Sequence, residues 1–105
     1  MPYDSTRDAF ASVNASFSAQ ARLAELVTPS DSEDLARYAK ALRIYVPTSV
    51  AGGVGSVRVT PLKAANDADT VTLKVPPGIA IEPLAVRRVW ATGTSAGVEV
   101  HALTV

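Results

Sequence analysis

Few residues of this chain combine a reactive group with a neighbour that could activate it. His101 is the single histidine. One copy rules out a histidine metal cluster or a triad needing a second base, and leaves only an isolated general base. It falls in an alternating segment beside Glu99, which favours a solvated or interface side chain over a catalytic one. Asp31, Glu33 and Asp34 crowd together, as do Asp67 and Asp69. Neither group has the length or the terminal glutamate of a calcium loop. Capping accounts for the first group and turn formation for the second. Gly52-Gly53-Val54-Gly55 lacks the lysine and the spacing of a phosphate loop, and a strand rather than a helix follows. There is no cysteine, which removes disulfides, thiolate metal sites and thiol nucleophiles. Arg87-Arg88 beside Trp90 offers stacking and charge. In a chain with ten basic and ten acidic residues this pair fits a protein interface better than nucleic acid. These observations predict a protein that is not an enzyme and needs no cofactor and no metal.

The elements that carry these residues have the period of strands. Leu42, Ile44 and Val46 alternate with Arg43 and Tyr45. Val57 and Val59 alternate with Ser56, Arg58 and Thr60. Val71, Leu73 and Val75 alternate with Thr70, Thr72 and Lys74, and Val98, Val100 and Ala102 with Glu99 and His101. Leu23–Val27 reads as a first short strand, and Ile79, Ile81, Leu84 and Val86 flank Pro83. Turns fall at Pro47, at 50–55, at 66–69, at Pro76-Pro77-Gly78 and at 92–97. Short alternating runs divided by such turns predict an all-β fold, a small antiparallel sandwich or barrel-like domain.

Three places break this rhythm. Ser30 and Glu33 have capping-box spacing, which predicts at most one short helix, over roughly 31–40, with Leu35, Tyr38 and Ala39 inward. At Arg87-Arg88-Val89-Trp90 the alternation slips, because Leu84 and Val86 share parity with Arg88. A bulge there would swing both arginines outward; a strand end reads the slip equally well. Leu103 and Val105 lie on the face opposite Val98 and Val100, so the last strand is expected to meet protein on both faces.

Residues 1–22 differ from the rest and are read as an N-terminal arm on a β domain of residues 23–105. Phe10, Val13 and Phe17 have the spacing of a short amphipathic helix. An extended arm that inserts its phenylalanines into a neighbour is the alternative, and is favoured because Ser and Asn compete with helical backbone bonds. No apolar run is long enough for a membrane helix and no signal peptide opens the chain. The expected site of synthesis is the host cytoplasm.

Val27-Thr28-Pro29-Ser30-Asp31 with Asp34-Leu35, then Ala41-Leu42-Arg43-Ile44-Tyr45-Val46, then Leu84-Ala85-Val86-Arg87-Arg88-Val89-Trp90-Ala91-Thr92-Gly93-Thr94, follow one another in an order and spacing that resemble the small spike base proteins of tailed phages and phage-derived gene transfer agents. The resemblance covers about residues 27–97. It departs over Leu62 to Asp69 and in the longer N-terminal arm. It implies a virion structural protein, a platform on the particle that carries a spike or fibre, with no catalytic residues.

The expected partners are further copies in a cyclic homo-oligomer, a pentamer if the site is a capsid vertex, the major capsid or neck protein, and the spike or fibre itself. Phe10, Phe17, Arg87, Arg88, Trp90, Leu103 and Val105 are the expected contacts. A carbohydrate- or ligand-binding β module is the competing reading, with Tyr45 and Trp90 as its stacking platform.

Overall fold

Two antiparallel sheets face one another across a core made mostly of valine. The computed structural model describes residue 3, residues 5–7 and residues 23–104. Among the described residues seven strands follow in order: β1 (Leu23–Leu26), β2 (Ala41–Val46), β3 (Gly55–Pro61), β4 (Val71–Val75), β5 (Gly78–Glu82), β6 (Val86–Val89) and β7 (Glu99–Thr104). One sheet has the order β1-β7-β2-β5 and the other β4-β3-β6. The all-β class and the antiparallel pairing are those the alternation predicts. Ala51–Gly53 forms a 3-10 turn between β2 and β3, where the glycine-rich turn was expected.

The alternating residues sort onto the two faces as a half-covered strand requires. Leu42, Ile44 and Val46 of β2 point inward, with Val100 and Ala102 of β7. Val57 and Val59 of β3, Val75 of β4, and Val86 and Val89 of β6 close the core from the other sheet. Each buried valine stabilises the fold by about 1.5–3 kcal/mol relative to an exposed one. The two sheets approach closely where β2 passes the start of β3. There a Cβ on Gly55 would lie 2.7 Å from Val46 Cγ2 and 2.9 Å from Val46 Cγ1. The strand can enter at that point only as glycine.

The helix expected over 31–40 does not form. Ser30 Oγ does accept from the backbone N–H groups of Ser32 and Glu33, at 3.2 and 3.1 Å, as a cap would. The amides beyond are taken by β6 instead. Ser30 N–H donates to Val89 O, Leu35 N–H to Arg87 O, and Ala39 exchanges both backbone bonds with Val86. Residues 30–39 therefore run as an irregular strap along the outer edge of β6. Leu35, Tyr38 and Ala39 still turn inward; Tyr38 and Ala39 are buried and Leu35 packs on the core.

Of the arm, Tyr3 and Ser5–Arg7 lie within the described residues. Tyr3 meets the Tyr38 ring at 5.6 Å between centroids, and Tyr38 N–H donates to Arg7 O. This short stretch packs on its own chain. Phe10 and Phe17 lie outside the described residues, as does Val105.

Candidate functional site

Strand β6 carries the two arginines singled out in the sequence, and the register of β3 against β6 shifts at them. Thr60 faces Arg88 and Pro61 faces Val86, so Arg87 is the extra residue. The slip in alternation thus marks a real bulge. A bulge turns neighbouring side chains to one side of the sheet, and both arginines leave the valine core. They do not reach solvent: Arg87 is 1% exposed and Arg88 4%. The expectation of outward, accessible arginines is corrected here. Two covering segments, the strap and the loop after β3, close over them.

Burying two guanidinium groups requires charge and acceptors in compensation. Arg88 Nε donates to Asp34 Oδ1 at 2.8 Å, and its Nη2 reaches Asp67 Oδ2 at 3.3 Å. Arg87 Nη2 donates to Asp67 Oδ1 at 2.9 Å, and its Nη1 to the carbonyls of Leu62 and Ala64 at 3.0 and 2.9 Å. Arg87 Nε and Asp34 Oδ2 face each other at 3.9 Å without a hydrogen bond. Two arginines and two aspartates thus form a neutral cluster inside one chain. It ties the strap and the 62–69 loop to one strand.

Trp90 completes this second, polar core. Its Nε1–H donates to Thr60 Oγ1 at 2.8 Å, and the Thr60 hydroxyl donates onward to Asp67 O at 2.7 Å. The Arg58 guanidinium lies 4.3 Å from the ring centroid and that of Arg88 5.2 Å, within cation–π range. The following Thr-Gly-Thr turn folds back on β3. Thr92 holds Asp31 through its N–H and its hydroxyl. Thr94 Oγ1 donates to Trp90 O and accepts from Arg58 N–H. Gly93 has φ +98°, and a Cβ there would meet Arg58 Cδ at 2.8 Å. The Asp31 carboxyl is held below its ordinary value, chiefly by the Thr92 hydroxyl, then by the Thr92 N–H. The motif from Arg87 to Thr94 is therefore a piece of folding chemistry: nearly every member binds another part of the same chain.

The candidate residues for an active centre stay apart. His101 Nδ1 is buried without a hydrogen-bond partner, and the imidazole sits in register between Leu26 and Arg43. Asp31 and Asp34 are committed to Thr92 and Arg88. Asp69 Oδ2 accepts from Asn66 N–H, closing the turn. Among the described residues no three histidine or carboxylate side chains group as a metal site.

Among the described residues, the most exposed aliphatic side chains lie on the outer face of the four-stranded sheet. Leu26 is 65% exposed, Ile79 62% and Ile81 52%, with Tyr45 at 37%. Tyr45 pairs with Ile79, and Arg43 with Ile81. Leu103 is half-buried on the same face, beside Ala41 and Ala24. A groove of about 220 Å³ runs alongside β1, between Leu26, Val27, Asp34, Leu35 and Arg37. Sequence reasoning had placed Leu103 and Tyr45 on the surface but missed Leu26, Ile79 and Ile81. Their apolar character is that of core residues, and only the pairing of β2 with β5 shows that Ala80 takes the inward position.

No family model matches the chain, and no curated protein does. Among solved structures the chain is similar to one in the capsid of a native gene transfer agent (GTA) particle computed with C5 symmetry. The two share 32% identity with a TM-score of 0.62, over 91% of this chain and 98% of that one. At that identity, over nearly the whole of both chains, the protein belongs to the same family as this gene transfer agent capsid chain.

Proposed function

We propose that the protein is a structural component of a phage-like particle, an oligomeric base at a capsid vertex that anchors a spike or fibre. Its place is the virion, and its role requires no catalysis. The observation that carries this reading is the end-to-end similarity to a chain of a gene transfer agent capsid. Computation of that capsid with C5 symmetry supports a fivefold position, and a closed ring of copies is the default assembly at such a place. The fold supports it as well. The polar side chains around Arg87, Arg88 and Trp90 are engaged in holding the chain together, while its three most exposed aliphatics, Leu26, Ile79 and Ile81, share one sheet face. A chain of this kind meets protein rather than a small substrate.

The partners under this reading are further copies, the capsid or neck protein below, and the spike or fibre above. Removing the gene and imaging purified particles tests it. Heads are expected to form without spike or fibre density, and a tagged copy supplied in trans is expected to restore that density at the vertices. Particles with unchanged spikes, or a tagged chain absent from purified particles, would contradict the proposal.

A further inference from the structure

The four-stranded sheet ends in two strands, β1 and β5, to which no other described strand pairs on the outer side. An unpaired edge is a template for another strand, and proteins usually blunt it with lysine, proline or a bulge. The edges of the other sheet follow that rule: β4 carries Lys74, which donates to Ser56 Oγ, and β6 is covered by the strap. Neither β1 (Leu-Ala-Glu-Leu) nor β5 (Gly-Ile-Ala-Ile-Glu) contains lysine or proline; each is guarded only by its shortness and by one glutamate in the inner row, Glu25 and Glu82.

The two edges match each other. Every neighbouring pair in the sheet is antiparallel, so β1 and β5 run in opposite directions. Setting β5 of one copy beside β1 of the next prolongs the alternation and keeps the same face outward. Two residue rows cross the whole sheet. One runs Leu26, His101, Arg43, Ile81 on the outer face; the other runs Glu25, Ala102, Leu42, Glu82 on the inner face. Continuing the rows into the next copy puts Ile81 against Leu26, the most exposed large aliphatic side chain on each side of the join apart from Ile79. It also brings Glu82 to Glu25, whose carboxylate already has Arg37 at 3.8 Å. The Arg37 side chain is 59% exposed, and its forked guanidinium can hold a second carboxylate. The groove beside β1 leaves room for the inward side chains of the incoming strand, Ala80 and Glu82.

We propose that copies of this chain assemble head to tail by adding the β5 edge of one to the β1 edge of the next, with Ile81 on Leu26 and Glu82 on Arg37. The partner is a second copy because both halves of the join, complementary in direction and apolar face, are present on one chain, and Arg37 stands beside the two glutamates that meet there. The pairing rests on the self-assembling particle role proposed above and names its surfaces. A head-to-tail contact generates a ring when its rotation closes.

The cysteine-free sequence makes cross-linking clean. In the full-length protein, Leu26→Cys with Ile81→Cys is expected to give a ladder of disulfide-linked multimers on mild oxidation, and each single variant only monomer. Arg37→Glu and Glu82→Arg should each weaken association about tenfold or more in sedimentation, and the double exchange should restore it. A merely structural role for Arg37 would show no such rescue. A covalent dimer from Ile81→Cys alone would reveal a two-fold β5–β5 pair and overturn the proposal. So would oligomers that give no ladder from this pair or from Ala24→Cys with Ile81→Cys, or a wild-type chain that sediments as a monomer. None of these results removes the chain from particles, whereas its absence from particles would end the particle role itself.

Discussion

Arg88 donates to Asp34 at 2.8 Å across fifty-four residues of sequence, and both side chains are withdrawn from water. The bond joins the strap at 30–39 to the bulge of β6. The pair belongs to a cluster of two cations and two anions, so its value lies in completeness: removing one charge leaves the others buried and unbalanced.

Asp34→Ala should therefore be among the most damaging single changes in the chain. It strips Arg88 Nε of its acceptor and leaves two arginines sharing Asp67. The expected loss is about 3–5 kcal/mol, the usual cost of breaking a buried ion pair from one side. Asp67→Ala should cost less, because its side chain is 24% exposed and water can replace part of it. Urea unfolding of the two variants beside the wild type checks both the size and the order. Equal, small losses would mean that the cluster is hydrated in solution.

Acid should loosen the Thr-Gly-Thr turn. Thr92 holds the Asp31 carboxyl below its ordinary value, so the ionised form is preferred in the folded chain. That contribution is fully present above the ordinary carboxylate range and fades as pH falls through the lowered folded value. Wild type and Asp31→Asn should differ in stability at neutral pH and converge as pH drops well below about 4. Thermal melts across a pH series read the convergence. A difference that does not change with pH would place the effect in the shape of the side chain and not in its charge.

Gly55→Ala tests the close approach of the two sheets at Val46. The new methyl would sit 2.7 Å from Val46 Cγ2 and 3.3 Å from Val75 O, and Val46 is 1% exposed, so it has nowhere to retreat. A loss of about 1–3 kcal/mol is expected. Val46→Ala opens a cavity of its own, but in the double variant the new methyl fills part of it. The two losses should thus sum to more than the loss of the pair. Simple additivity in urea unfolding would show that β3 has room to shift.

The strands were legible because period two survives in a single sequence: Leu42, Ile44 and Val46 announce a covered face whatever lies across from them. Parity alone does not say which of two alternating sets is covered, and so nothing in the sequence marked Ile79 and Ile81 as exposed. The bulge was legible in the slip at Arg87-Arg88, but its covering was not. The carboxylates that neutralise the arginines lie fifty-four and twenty-one residues away, and locally each does another job, Asp34 in an apparent cap and Asp67 in a turn. The helix failed for the same reason. Ser30 offers a proper cap, yet the edge of β6 competes for the amides that follow it. A pair of arginines inside an apolar strand pattern was itself the signal, since such charges must be met by acids from elsewhere in the fold.

Trp90 separates the particle role from a ligand-binding one. A stacking platform needs a free π face and an unoccupied indole N–H. Here two guanidinium groups lie within cation–π range of the ring, and Nε1–H is bound to Thr60. Trp90→Ala should therefore act on stability, with a loss of roughly 2–3 kcal/mol, somewhat below that of a fully buried tryptophan. Trp90→Phe keeps an aromatic surface under Arg58. It leaves unpaired only the acceptor side of a hydroxyl that still donates to Asp67 O, so about 1 kcal/mol should suffice. Thermal unfolding followed by circular dichroism measures both, since the chain holds no other tryptophan and fluorescence is lost with it. Glycan binding by the wild-type chain that disappears in Trp90→Ala at unchanged stability would reverse this reading and make the ring a recognition surface.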